Sequence, residues 1–382
     1  MTFTGNLNLQ KPLSDSRQVV ISVEPILRGE AGHDWIYQLT IQSAARVRGL
    51  TCTVAVAWDL EKTADGWQKS LPSHAKEPRG VIENYLYLIK LVGAIASTVR
   101  RNQTHAERVF LVIQSFSGTQ LFAFSIACAL LNRPLRKITP LVVWRHPVPA
   151  DLSGKVGISN WLLQRLTHNA AYFSDTEPLK QTNASRLSYP VRLLPITHGD
   201  AQFRLSQPER KSNVLRCWWP GPPRKAKGLD LVRALVRELP SSAAIQIKAA
   251  ASSNLSSLNA NFQSIDDQLT RAEYVRHMLE SDVVLTPYSA EAYKLNSSGI
   301  FVEAICAGKV VLSLQGTWMA HELKLHGLEA FVLESDVQQW VSVLTALSLG
   351  NMNTEGFSAM RQHYLDFHTE KTFADVFFAA DI

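Results

Sequence analysis

Four cysteines, Cys52, Cys128, Cys217 and Cys306, are all that this chain of 382 residues contains. They are widely spaced, with no C-x-x-C pair and no Cys/His cluster. That excludes a disulfide scaffold and a tetrahedral zinc site, and leaves free, mostly buried thiols as the expectation. No basic segment followed by an apolar core opens the sequence, so no secretory signal is expected. No run reaches the roughly 18 uninterrupted apolar residues that a bilayer span needs. The longest apolar stretch, 109–131, is broken by Gln114, Ser115, Ser117, Gly118, Thr119 and Gln120, and reads as strand, turn and helix. A cytoplasmic protein is the expectation. Other absences narrow the function. No G-x-G-x-x-G follows the first strand of either half, which disfavours a dinucleotide-dependent dehydrogenase. There is no G-x-x-x-x-G-K-[ST] phosphate loop. No D-x-D occurs, and no nucleic-acid-binding module is recognisable.

What is present is the composition of a globular protein, 46% hydrophobic and 19% charged. The length suggests two or three domains. The net charge of +6 is uneven: residues 1–200 carry 22 Lys/Arg against 14 Asp/Glu, and residues 201–382 carry 17 against 19. A basic first half suggests an anionic partner there, a membrane surface among them.

Short apolar runs alternate with helical stretches, the pattern of parallel α/β units. In the first half the spacing predicts strands at 19–25, 51–58, 108–116, 138–147, 170–175 and 189–200. Helices are expected at 35–47, 81–101, 118–132, 159–168 and 177–187, and a long polar loop at 59–79. Residues 201–212 lack periodicity and read as a linker. The rhythm then restarts, with strands at 213–220, 243–251, 282–288, 309–314 and 330–333. Helices are expected at 229–239, 270–281, 298–308, 336–348 and 356–379, and an unpatterned segment at 252–268. The domains expected are 1–200, 201–355 and a closing helix at 356–382.

Ligands of open α/β sheets bind at the carboxyl ends of strands, so those loops hold the candidates. The loop 221–228 carries Arg224, Lys225 and Lys227 at a strand-to-helix turn, where cations and free helix N–H groups suit a phosphate. Asn296, Ser297, Ser298 and Gly299 form a second small-residue turn at a helix start. Glu303, a carboxylate in an apolar helix, needs a partner, and a ribose diol would provide one. His146 lies just past a strand's carboxyl end, where it could hydrogen-bond a sugar hydroxyl or developing charge.

The order of strand, basic K-G loop, helix, S-D-V-V-L-T-P-Y, small-residue turn, E-A-x-x-A-G helix and K-V-V-L strand resembles the retaining group 1, family 4-like glycosyltransferases of GT-B fold. The resemblance implies two Rossmann-like domains facing each other across a cleft, with a C-terminal helix crossing back to the first domain. It implies a nucleotide-sugar co-substrate and no resident cofactor or metal. By that resemblance Lys227, with Arg224, holds the donor diphosphate together with Ser297, Ser298 and Gly299, and Glu303 meets the ribose. The family's first glutamate falls on Leu295 and its loop arginine on Pro222. Glu291, Lys294 and Asn296 are therefore the candidates for the donor sugar. His146 is the candidate catalytic residue. Gly29, Gly32 and His33 resemble the family's acceptor-facing loop. The implied reaction is metal-independent transfer with retention to a glycan, lipid-linked or small-molecule acceptor, with no nucleic acid involved. A sugar-nucleotide epimerase of the same shape and a non-catalytic relative acting in binding or assembly are the competing readings.

Overall fold

The computed structural model describes residues 18–29, 33–73, 80–103, 106–135, 138–152, 154–167, 169–197, 201–205 and 212–379. The chain divides into two compact units. One comprises Met1–Ser174, Thr182–Arg192 and Phe373–Ile382, and the other Asp175–Gln181 and Leu193–Thr372.

The first unit is built from β1 (Gln18–Glu24), α1 (His33–Val47), β2 (Thr51–Ala57), β3 (Trp67–Leu71), α2 (Val81–Asn102), β4 (Arg108–Ile113), α3 (Gly118–Leu135), β5 (Ile138–Val143), α4 (Gly154–Leu166) and β6 (Ala171–Ser174). After α5 (Glu177–Leu187), β7 (Val191–Leu193) completes the sheet. The strand order is β3-β2-β1-β4-β5-β6-β7, and every pair whose register is defined runs parallel. β4 and β5 are buried on both faces, as their unbroken apolar runs require. Right-handed crossovers place α2, α3 and α4 on one face of the sheet, where α3 packs between the other two.

The second unit follows with α6 (Ala201–Leu205), β8 (Leu215–Trp219), α7 (Leu229–Glu238), β9 (Ile245–Ala250), β10 (Phe262–Ile265), α8 (Arg271–Glu280) and β11 (Val283–Thr286). It continues with α9 (Ala290–Tyr293), α10 (Gly299–Cys306), β12 (Val310–Leu314), α11 (Trp318–Leu325), β13 (Val332–Leu333), α12 (Val337–Ser348) and α13 (Gly356–Phe367). Its parallel sheet runs β10-β9-β8-β11-β12-β13. The chain ends in α14 (Glu370–Phe377). Phe377 stacks at 4.9 Å on Phe173 of β6, and Phe378 lies 5.3 Å from Phe110 of β4.

Several expectations are corrected. The 59–79 loop contains β3, and the 252–268 segment contains β10. Both are edge strands: in β3 only Trp67 and Leu71 are buried, and in β10 only Phe262. The segment expected to be a linker contains α6, whose Phe203 is fully buried in the second core. The closing helix is two helices, interrupted at His368.

That interruption has a purpose. The Ile196 N–H donates to His368 Nδ1 at 2.9 Å, so the ring is neutral and carries its proton on Nε2. Burial, followed by the charges of His363 and Arg204, brings the His368 pKa from 6.5 down to about 3. Between those values the unfolded chain takes up a proton that the folded chain refuses, so stability falls as pH drops through that window. From pH 7 to pH 4 this group should cost about 3 kcal/mol. Urea unfolding at both pH values should show a smaller acid loss in His368→Gln, whose amide oxygen can still accept the Ile196 N–H.

Candidate functional site

In each sheet the chain leaves its first strand toward one side and later returns on the other. The switch falls between β1 and β4 in the first unit and between β8 and β11 in the second. Crevices at such points are the natural ligand sites of open α/β sheets.

In the second unit, the segment after β8 forms a short 3-10 turn at Lys225–Lys227, closed by Gly228. Gly228 has φ +86°, and a Cβ there would lie 2.0 Å from the Pro287 carbonyl oxygen. Glycine alone lets the two loops touch. The Ser289 N–H donates to the Ala226 carbonyl at 2.9 Å, and Trp219 Nε1 donates to the Lys227 carbonyl at 3.0 Å. These bonds fix the backbone of Lys227 while its side chain reaches back. A Cβ on Gly221, φ +87°, would lie 2.7 Å from Lys227 Nζ. The ammonium sits 5.5 Å from the Tyr288 ring centre. Among the described residues no carboxylate pairs with it. Burial, then the nearby Arg224, bring its pKa from 10.5 down to about 8.

The facing wall is the turn into α10. Ser298 caps this helix, its hydroxyl accepting from the Phe301 N–H at 3.3 Å, and Gly299 is buried. Two bonds hold the turn from behind. Ser297 donates to Asp175 Oδ2 at 2.8 Å, and Thr176 donates to the Leu295 carbonyl at 2.7 Å. Asn296 donates to the Ala292 carbonyl at 2.8 Å, which leaves its buried Oδ1 without a partner. Tyr293 stands 4.6 Å from Tyr288. Lys227, Tyr288, Tyr293 and the 296–298 turn thus lie close together, with exposed Arg224 beside Lys227.

Glu303 lies deeper in α10 and is already occupied. Tyr274 donates to its Oε2 at 2.6 Å, and Arg271 pairs with its Oε1 at 2.8 Å. Burial, then the Glu303 charge, hold the Tyr274 hydroxyl well above its usual pKa. Glu291 and Lys294 lie on and just after α9, within the segment expected to be loop, and both are exposed. Asp282, at the entry to β11, binds the Arg216 N–H and guanidinium and is structural.

In the first unit, His146 is exposed beyond β5. The turn that carries it is held by Asn183, whose side chain bonds the His146 carbonyl and the Val148 N–H. His33 is not in a loop but opens α1. Gly29 lies in the bend after β1, and Gly32 falls outside the described residues. Sequence reasoning missed a polar cluster at this unit's switch point. Ser22 donates to Gln38, which donates to Glu24 Oε2 at 2.8 Å, while Oε1 has no partner. Burial and then Asp34 hold the Glu24 carboxyl well above the usual range. Ser115 bonds Asp34, and Arg145 bonds Gln114 while lying 3.3 Å from the Tyr37 ring centre. The signal was available, since Glu24 and Gln114 are polar residues ending apolar strands. Among the described residues, no group of three His, Cys, Asp or Glu is placed to hold a metal ion.

Gly228 offers a direct check of this geometry. Gly327→Ala, at φ +69° in open space, should cost about 1 kcal/mol. Gly228→Ala should cost at least twice that in urea unfolding, because strain and collision add.

No family model and no curated protein matches the sequence. Solved structures do resemble it. An E. coli trehalose-6-phosphate structure bound with UDP-2-fluoro glucose is 12% identical, at TM-score 0.66 over 95% of this chain and 98% of that one. Anabaena Alr3699/HepE in complex with UDP is 12% identical, at TM-score 0.60 over 94% and 97%. UDP-GlcNAc 2-epimerase from Neisseria meningitidis bound to UDP-GlcNAc is 15% identical, at TM-score 0.55 over 94% and 97%. The chain has the GT-B fold.

Proposed function

We propose that the chain is a glycosyltransferase whose second unit binds a nucleoside diphosphate-sugar. The observation that carries this reading is the Lys227 ammonium, half-buried at the β8/β11 switch point with no carboxylate partner among the described residues. Withdrawing an unpaired charge partly from water is costly, and a diphosphate would offset that cost. The bound UDP-sugars and UDP of the structural neighbours agree with it in kind.

In this reading Lys227 and Arg224 meet the diphosphate oxygens, and the amides at the start of α10 complete the cradle, Ser298 and Gly299 foremost. An acceptor hydroxyl oxygen replaces the diphosphate oxygen at the anomeric carbon, and its proton leaves with the nucleotide. Negative charge grows on the departing diphosphate, where the two cations and the helix-end amides stabilise it without a metal. Retention at the anomeric carbon is proposed on the resemblance alone. Asn296, with its unpaired buried carbonyl, is the best placed of the donor-sugar candidates, ahead of exposed Glu291 and Lys294. Glu303 meets a ribose hydroxyl in this reading only by exchanging one of the partners that now hold it, Tyr274 or Arg271. His146 serves as hydrogen-bond donor to the transferred sugar, and the first unit receives a glycan, lipid-linked or small-molecule acceptor. The epimerase neighbour supports a second reading, in which the same donor site serves a change at the sugar itself.

Incubation with UDP-, GDP- and dTDP-sugars, with and without chelator, separates the readings. Nucleotide release that persists in chelator supports transfer, and epimerised donor supports the second reading. UDP binding should take up a proton near pH 8, because a bound anion raises the lowered Lys227 pKa. Calorimetry in buffers of different ionisation enthalpy measures that uptake. Lys227→Ala should lose it and bind UDP about thirtyfold more weakly. A Lys227→Ala variant that binds UDP as the parent does would end the assignment.

A further inference from the structure

The layer of α2, α3 and α4 in the first unit leaves large apolar side chains in solvent. On α2 the outward stripe begins with Ile82 (77% exposed), Tyr85 (66%), Leu86 and Ile89 (58%). On α4 the stripe holds Ile158 and Trp161 (56%). The opposite face of α2 is buried at Tyr87, Leu88, Leu91, Ile95 and Val99, so the helix is apolar on two sides over its first turns. Scattered exposed apolar residues mean little, but a group of this size on the two helices that flank α3 marks an interaction surface.

Charge selects the partner. The same stripes carry Lys90 and Arg100 on α2 and Lys155 and Arg165 on α4, all exposed. Glu83 is the one acidic residue in the three helices. Two copies of this face placed together would set like charges against each other. An anionic bilayer satisfies both features: apolar side chains enter the headgroup boundary, and the long cationic side chains reach phosphate. Trp161 and Tyr85 are the aromatic types that settle at such boundaries. No helix of the described residues is long and apolar enough to cross a membrane, so the contact lies in the surface plane.

We propose that the outer face of α2 and α4 docks the protein on the surface of a bilayer rich in anionic lipid. The inference does not depend on the donor site, because every residue named belongs to the first unit.

Co-sedimentation of the full chain with phosphatidylcholine vesicles, with and without phosphatidylglycerol, tests it. Binding should require phosphatidylglycerol and weaken as salt rises. Ile82→Ser/Leu86→Ser and Trp161→Ser should each weaken it by about tenfold, as should Lys155→Glu/Arg165→Glu. All these side chains are exposed, so thermal unfolding and UDP binding in the absence of vesicles should be unchanged. Three results would overturn the proposal: no binding to either vesicle, equal binding by the variants, or a solution dimer that Ile82→Ser/Leu86→Ser dissociates. Loss of UDP binding by the parent protein would count against the donor site alone.

Discussion

The second unit is organised around an ammonium with no counter-ion. Among the described residues no carboxylate pairs with Lys227, and its backbone is clamped by Trp219 on one side and by the close approach of Gly228 to Pro287 on the other. Cationic side chains normally escape such positions by swinging into water. Here the ammonium lies back against Gly221 and 5.5 Å from the Tyr288 ring centre, and the side chain is only half-exposed. The wall opposite is rigid for its own reasons: Asp175 and Thr176 fasten the 295–297 turn, and Ser298 caps α10. Both loops are therefore held in place by bonds internal to the protein.

Glu303 shows the opposite arrangement. A carboxylate in the apolar interior of α10 is neutralised by Arg271 and hydrogen-bonded by Tyr274, so the fold has already met its needs. Two charged residues only a few turns apart in space thus differ in what they can offer a ligand. The lysine gains from an incoming anion, whereas the glutamate must share or give up partners. The Glu24 carboxyl of the first unit falls between these cases, with one oxygen bonded by Gln38 and the other unpaired.

Much of this was legible in the sequence where periodicity and burial coincide. The buried central strands announce themselves as apolar runs, and the residue types of 221–228 and 296–299 mark turns that lead into helices. The missed strands, β3 and β10, lie at sheet edges, where only one or two side chains face the core and the alternation is too weak to read. The partners of Glu303 and Ser297 were invisible for another reason. Tyr274 and Asp175 lie 29 and 122 residues away, and only the assembled sheet brings them near. The break at His368 was hidden too, since a histidine accepting a backbone N–H has no local sequence signature.

The contact of Gly228 with Pro287 has a consequence for substitution nearby. A hollow shaped by the main chain survives almost any change in the residues around it, provided the two glycines keep their left-handed turns. Exchange of the flanking side chains would then alter what lines the hollow while leaving its outline in place.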